Sequence, residues 1–80
     1  MNTFTIKAFG ITRDILGGKE VVLTMNGQTV GDLRQYLLGQ YPNLKGLRSL
    51  FIAVNNAYAE DGKALLATDE IALIPPVAGG

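Results

Sequence analysis

The sequence predicts an α+β fold in which one main helix crosses a mixed sheet of four or five strands, followed by an extended C-terminal tail. Three observations predict it. Short apolar, β-branched stretches lie on either side of a single long helical stripe, in the order β-β-α-β-(β)-β. Eighty residues make one domain, residues 1–80, and a chain of this size buries only about 60–65% of its unfolded surface. The hydrophobic content is nevertheless 48%, with a mean hydropathy of +0.21. One helix cannot cover both faces of such a sheet, so one face is expected to stay partly open and to carry part of that apolar surplus as an interface.

Phe4, Ile6 and Ala8 alternate with Thr3, Thr5 and Lys7, which predicts a half-buried strand over about residues 3–9, ended by Gly10. Ile11 to Leu16 form one helical turn, broken by Gly17-Gly18, and Glu20 to Thr24 a second short strand closed by Asn26-Gly27. The helix over Thr29–Tyr41 is the clearest element. Thr29 and Asp32 have capping-box spacing, Val30, Leu33, Leu37 and Tyr41 form the stripe, and Tyr36 widens it. Pro42 stops it, because the residue before a proline is pushed out of the α region. Leu44 to Leu50 are mixed, with a short helical turn. Phe51 to Asn55 read as a buried strand, Asn55-Asn56 as its turn, and Ala57 to Ala59 as a short edge strand before Glu60-Asp61-Gly62. Residues 57–66 stay open between strand and loop. Glu70 to Ile74 are apolar on both faces, the mark of a central strand, and Pro75-Pro76 end its pairing because neither can donate a ladder hydrogen bond.

Composition excludes more than it suggests. Seven basic and seven acidic residues are dispersed, without the basic stripe that nucleic-acid binding needs. No apolar run reaches the ~18 residues of a membrane span, and the first residues lack the form of a signal peptide. A cytoplasmic protein is expected. With no Cys and no His, the usual zinc sites, thiol nucleophiles, disulfides and His-based triads are ruled out. A self-contained catalyst is therefore not expected. Any chemistry should treat this chain as a substrate or carrier worked on by partners.

The ending Pro75-Pro76-Val77-Ala78-Gly79-Gly80 supplies a means. With Gly at ~7% of average usage, two terminal glycines arise by chance about once in 200 chains, so the dipeptide alone is weak. Its context is stronger. Paired prolines favour an extended backbone and a stiff projection, and the four residues beyond Pro76 reach about 13–14 Å. Two glycines make a strip without side chains that threads a narrow active site. The reacting group would be the α-carboxylate of Gly80. A carboxylate must first be activated, commonly by ATP-dependent adenylation, before a sulfur nucleophile can replace its oxygen.

Asp69 to Gly80, reading DEIALIPPVAGG, resembles the C-terminal signature of the small subunit of molybdopterin synthase, a family of sulfur carriers with the ubiquitin-like β-grasp fold. Ile6 to Gly17 are similar to that family's first strand and turn, Thr29 to Leu33 to its helix start, and Ala53-Val54-Asn55 to its third strand. The resemblance spans nearly the whole chain. It implies that an adenylating enzyme related to ubiquitin activators uses ATP on Gly80, and that a sulfur donor protein converts the adenylate to a thiocarboxylate. It implies next that the tail, residues 75–80, enters the large subunit of the synthase and gives sulfur to a cyclic pterin precursor in molybdenum cofactor biosynthesis. The catalytic groups would belong to that large subunit, and no cofactor or metal would be bound here. By position Gly79 and Gly80 match the family's tail, while Phe9 and Arg13 match places that contact partners. Ile74, a third interface candidate, stands where some members carry an aromatic. Leu65 to Thr68 depart from the family's usual Asp-Gly-type turn.

Ordinary readings stand beside these. An apolar residue near a strand end, such as Phe9 or Ile74, is often core; Arg13 in a surface turn is ordinarily a solvated charge. Asp69-Glu70 could engage the activating enzyme, but acidic residues at a turn are commonplace and the ordinary reading is favoured. Other functions also stay open: a sulfur carrier for thiamine thiazole or tRNA thiolation, a ubiquitin-like modifier that forms isopeptide bonds through Gly80, or an interaction module with an inert tail.

Overall fold

The computed structural model describes residues 1–47 and 50–75. Five strands form one mixed sheet: β1 (Asn2–Ala8), β2 (Glu20–Met25), β3 (Phe51–Val54), β4 (Ala57–Tyr58) and β5 (Ile71–Ile74), in the spatial order β2-β1-β5-β3-β4. β1 and β5 run parallel at the centre, and every other pair is antiparallel. Two helices accompany them, α1 (Ile11–Leu16) and α2 (Val30–Gln40). The expected order holds, and the fifth strand is present as a two-residue edge.

The predicted α2 boundaries have the predicted causes. The Thr29 hydroxyl accepts the Asp32 amide at 3.1 Å and the Asp32 carboxylate accepts the Thr29 amide at 3.2 Å, a complete capping box. Pro42 both stops α2 and opens a 3-10 segment over Pro42–Gly46, a position proline suits because it lacks the unused N–H. Within the mixed stretch, Leu44 is fully buried. Thr29→Ala is expected to destabilise the domain by about 1 kcal/mol, read as a lower urea midpoint at unchanged slope.

One expectation needs correction, and one left open is resolved. Phe51, placed in a buried strand, is exposed, because the register opposite Ile74 turns it to the face away from α2. Residues 57–66 form only the short β4 and then a loop with a specific task. Its carbonyls at Asp61 and Lys63 accept the amides of Gly31 and Val30 at 2.8 and 2.9 Å, satisfying first-turn donors of α2 that have no partner within the helix. Gly31 allows this close approach, since a Cβ would stand 3.1 Å from the Asp61 carbonyl oxygen and the loop would have to give way. Leu65 anchors this loop in the core.

The core lies on one side of the sheet. Phe4, Ile6 and Ala8 of β1, Leu23 and Met25 of β2, Ile52 and Val54 of β3, and Ile71 and Leu73 of β5 meet Val30, Leu33 and Leu37 of α2. Every second residue points away from it, as strand geometry demands.

Two carboxylates are tuned by the turns they close. Asp32 is held below the usual carboxylate range, first by the Gln28 amide and then by that of Thr29; Asp69 is held down by the Leu66 amide and then by the Asn55 side chain. Folded values below unfolded ones stabilise the fold fully above the ordinary carboxylate pKa, and that contribution is lost as pH falls through the folded values. The melting temperature is therefore expected to drop below about pH 4, and the double variant Asp32→Asn, Asp69→Asn to flatten that acid limb in a pH series of thermal melts.

Candidate functional site

The face of the sheet opposite α2 holds a groove of about 290 Å³, lined by Phe9, Ala53, Tyr58, Ala72 and Ile74 together with Lys7, Asn56 and Glu70. The lining is mainly apolar, and it is exposed: Tyr58 keeps 70% and Phe9 42% of its surface in solvent. Phe51 extends the patch, its ring stacked on Tyr58 with centroids 5.3 Å apart. An exposed apolar surface of this kind is a candidate interaction site.

Local structure aims these side chains. Gly10 has φ 56° and ψ −132°, the first central position of a type II′ turn, and the Thr12 amide closes that turn on the Phe9 carbonyl at 3.1 Å. Thr12 is fully buried. Its hydroxyl accepts the Phe9 amide at 2.8 Å and donates to the Phe9 carbonyl at 2.6 Å, fixing Phe9 at the groove wall. At the far side, Asn55 and Asn56 have φ of 52° and 68°, the two positive values of a type I′ turn. That two-residue turn sets the register of Ala53 opposite Tyr58.

β5 joins the groove to the tail. Ala72 and Ile74 line the groove, and the next residue, Pro75, lies against the β1–α1 turn, where a Cβ on Gly10 would come within 3.2 Å of its ring. The expectations for Pro76, Val77, Ala78, Gly79 and Gly80 fall outside the described residues.

Of the interface candidates read from sequence, the structure brings Phe9 and Ile74 together in one groove. Arg13 does not line it; its Nε donates to the Ala8 carbonyl at 3.4 Å. Tyr58, Ala53 and Lys7 are not among the sequence candidates, and Glu70, weighed there only within the Asp69-Glu70 turn pair, lines the groove. Asn55-Asn56 carried a usable signal for Tyr58, because a two-residue turn fixes which residue faces which. Lys7 pairs with Glu70 across the groove, and Lys7 is raised above its ordinary pKa, first by that hydrogen bond and then by the charge of Glu70. Asp69 instead turns inward to its own loop, accepting from the Leu66 amide at 2.8 Å and the Asn55 side-chain amide at 3.0 Å. Among the described residues no group of three or more His, Cys, Asp or Glu is placed to hold a metal ion.

Comparison with known proteins agrees with this architecture. The chain is 32% identical to the molybdopterin synthase sulfur carrier subunit of Arabidopsis thaliana, covering 90% of this chain and 77% of that one. It is likewise 32% identical to small archaeal modifier protein 1 of Haloferax volcanii, covering 92% and 97%. A complex of subunits 1 and 2 of molybdopterin-converting factor from Helicobacter pylori contains a similar chain, 25% identical, with 98% and 99% coverage and a TM-score of 0.67. The sequence model of the ThiS family matches residues 6–80. With that match over nearly the whole length, and one main helix on a mixed five-stranded sheet, the chain belongs to the ThiS family of ubiquitin-like sulfur carriers, on the β-grasp fold.

Proposed function

We propose that this chain is the sulfur carrier of a molybdopterin synthase, with the α-carboxylate of Gly80 as its reacting group. The observation that carries the reading is the exposed apolar groove at the root of the Gly-Gly ending, since β5 supplies both the groove residues Ala72 and Ile74 and the start of the tail at Pro75. A partner that grips the groove holds the tail's origin at a fixed distance from its own active site. Restricting the reactants to one geometry is the main thing a carrier can contribute to its partner's chemistry.

The steps balance without a catalytic side chain from this protein. In an activating enzyme the Gly80 carboxylate attacks the α-phosphorus of ATP and releases pyrophosphate. Sulfide-level sulfur from a donor then attacks the acyl-adenylate carbonyl and expels AMP, leaving a thiocarboxylate. Docked on the large subunit, the thiocarboxylate sulfur displaces an oxygen substituent from a carbon of the pterin precursor. Water then cleaves the resulting thioester, leaving the sulfur on the precursor and the carboxylate on Gly80. The absence of Cys and His agrees with this division of labour, because every acid, base and activating group would come from the partner. The reading implies a cytoplasmic protein that binds neither nucleic acid nor membrane; no described helix is long and apolar enough to cross a membrane.

A second reading has its own support in the equal similarity to the archaeal modifier protein. There a target lysine amine attacks the adenylate or a thioester at Gly80 and forms an isopeptide bond. Intact mass after incubation with an activating enzyme, ATP and a sulfur donor separates the two. A gain equal to sulfur replacing one oxygen, consumed on adding the large subunit and precursor, is the expected result. Gly80-linked conjugates with no such gain would replace it with the modifier.

A further inference from the structure

The open face carries, beside its apolar groove, a short charged ridge running across three strands. The β1–β2 register sets Lys7 opposite Glu20, and on its other side Lys7 pairs with Glu70 at the head of β5. The Lys7 and Glu70 side chains keep 44% and 48% of their surface. Two carboxylates flank one ammonium, so the ridge is net negative. The other elements that line the groove add no charge to it: Ala53 from β3, Tyr58 from β4, Asn56 from the turn between them, and Ala72 from β5. The second ion pair among the described residues, Arg34–Asp61, joins α2 to the 61–65 loop instead.

An exposed ion pair contributes little to stability, so stability does not explain one set at the border of an apolar docking face. Charge arranged around an interface fixes register and partner choice. Glu70 is further restrained by Lys7, which reduces the side-chain freedom it would lose when a partner meets it.

We infer that this face is read by a protein surface whose apolar segment enters the groove while a Lys or Arg at its border meets Glu70, which makes Glu70 a specificity-determining residue. The occupant is the large subunit of molybdopterin synthase, so the inference rests on the function proposed above. The charge pattern selects a partner surface with a basic border and disfavours an acidic one.

The test measures the affinity of the full chain for the purified large subunit of the same organism by titration calorimetry at two salt concentrations. Two variants decide it. Glu70→Gln is expected to weaken binding on the order of tenfold and to reduce its salt dependence. The triple reversal Glu20→Lys, Lys7→Glu, Glu70→Lys keeps every attraction within the ridge and is expected to melt like the parent, yet to lose at least as much affinity. A purely structural pair predicts the opposite, with binding restored by the reversal. Parent-like affinity in both variants overturns the inference and leaves the proposed function standing. Absence of binding by the parent chain overturns both. Should the reversal fail to fold, Glu70→Gln, checked by circular dichroism, still decides through its salt dependence, which falls if Glu70 meets a partner cation and stays at the parent value if the pair is purely structural.

Discussion

A chain lacking Gly80 is expected to fold normally and to gain no sulfur at all. Among the described residues the core ends at Leu73, and Gly80 has no side chain to bury, so melting temperature and circular dichroism are expected to match the parent. The chemistry, in contrast, depends on where one carboxylate sits. Removing a residue from an extended chain withdraws that carboxylate by about 3.3–3.6 Å, whereas reacting atoms must approach to about 3–3.5 Å and a 1 Å error already costs on the order of 100-fold. Intact mass after incubation with the activating enzyme, ATP and a sulfur donor should show the parent shifted and the deletion unshifted. Adding one residue beyond Gly80 should be nearly as damaging, since it displaces the reacting group outward by the same distance. Full sulfur loading of the deletion would end the carrier reading.

Leu37→Ala should produce the largest loss of stability and serve as the converse experiment. Leu37 is fully buried at the centre of the core, on the α2 stripe with Val30 and Leu33. Truncation removes apolar contacts and leaves a cavity, together about 2–5 kcal/mol. A domain of eighty residues has roughly 4–12 kcal/mol in total, so a large fraction of its stability goes. At about 4–8 °C per kcal/mol for domains of this size, the melting temperature should fall by roughly 8–40 °C. Sulfur loading measured well below the new midpoint should persist, because the tail and groove are untouched. A fall of only a few degrees would mean that α2 is not the main cover of the sheet.

What could be read in the sequence is what acts over a few residues. The Thr29–Asp32 box, the stop at Pro42 and the Asn55-Asn56 turn each work through groups adjacent in the chain, and each stands where it was expected. The groove shows how far such reading reaches. Phe9 and Ile74 were candidates separately, but nothing local joins residue 9 to residue 58 or residue 7 to residue 70. Phe51 was misplaced for a related reason: a strand's period shows which residues share a face, while the pairing register decides which face looks toward the helix. The loop after β4 was the least legible, because its carbonyls serve as caps for a helix that begins thirty residues earlier.

By itself, then, the sequence determined the element order, the bounds of the main helix, the exclusion of Cys and His chemistry, and the form of the ending on which the sulfur-carrier reading depends. Those follow from residue identity, from covalent neighbours and from backbone stereochemistry. The tertiary structure alone decided that β5 lies between β1 and β3, that Phe9, Tyr58 and Ile74 form one exposed groove at the root of the tail, and that Lys7 and Glu70 meet on it. Strand order and register come from burying one face of the whole sheet under a single helix, a collective property that no short stretch of the chain contains.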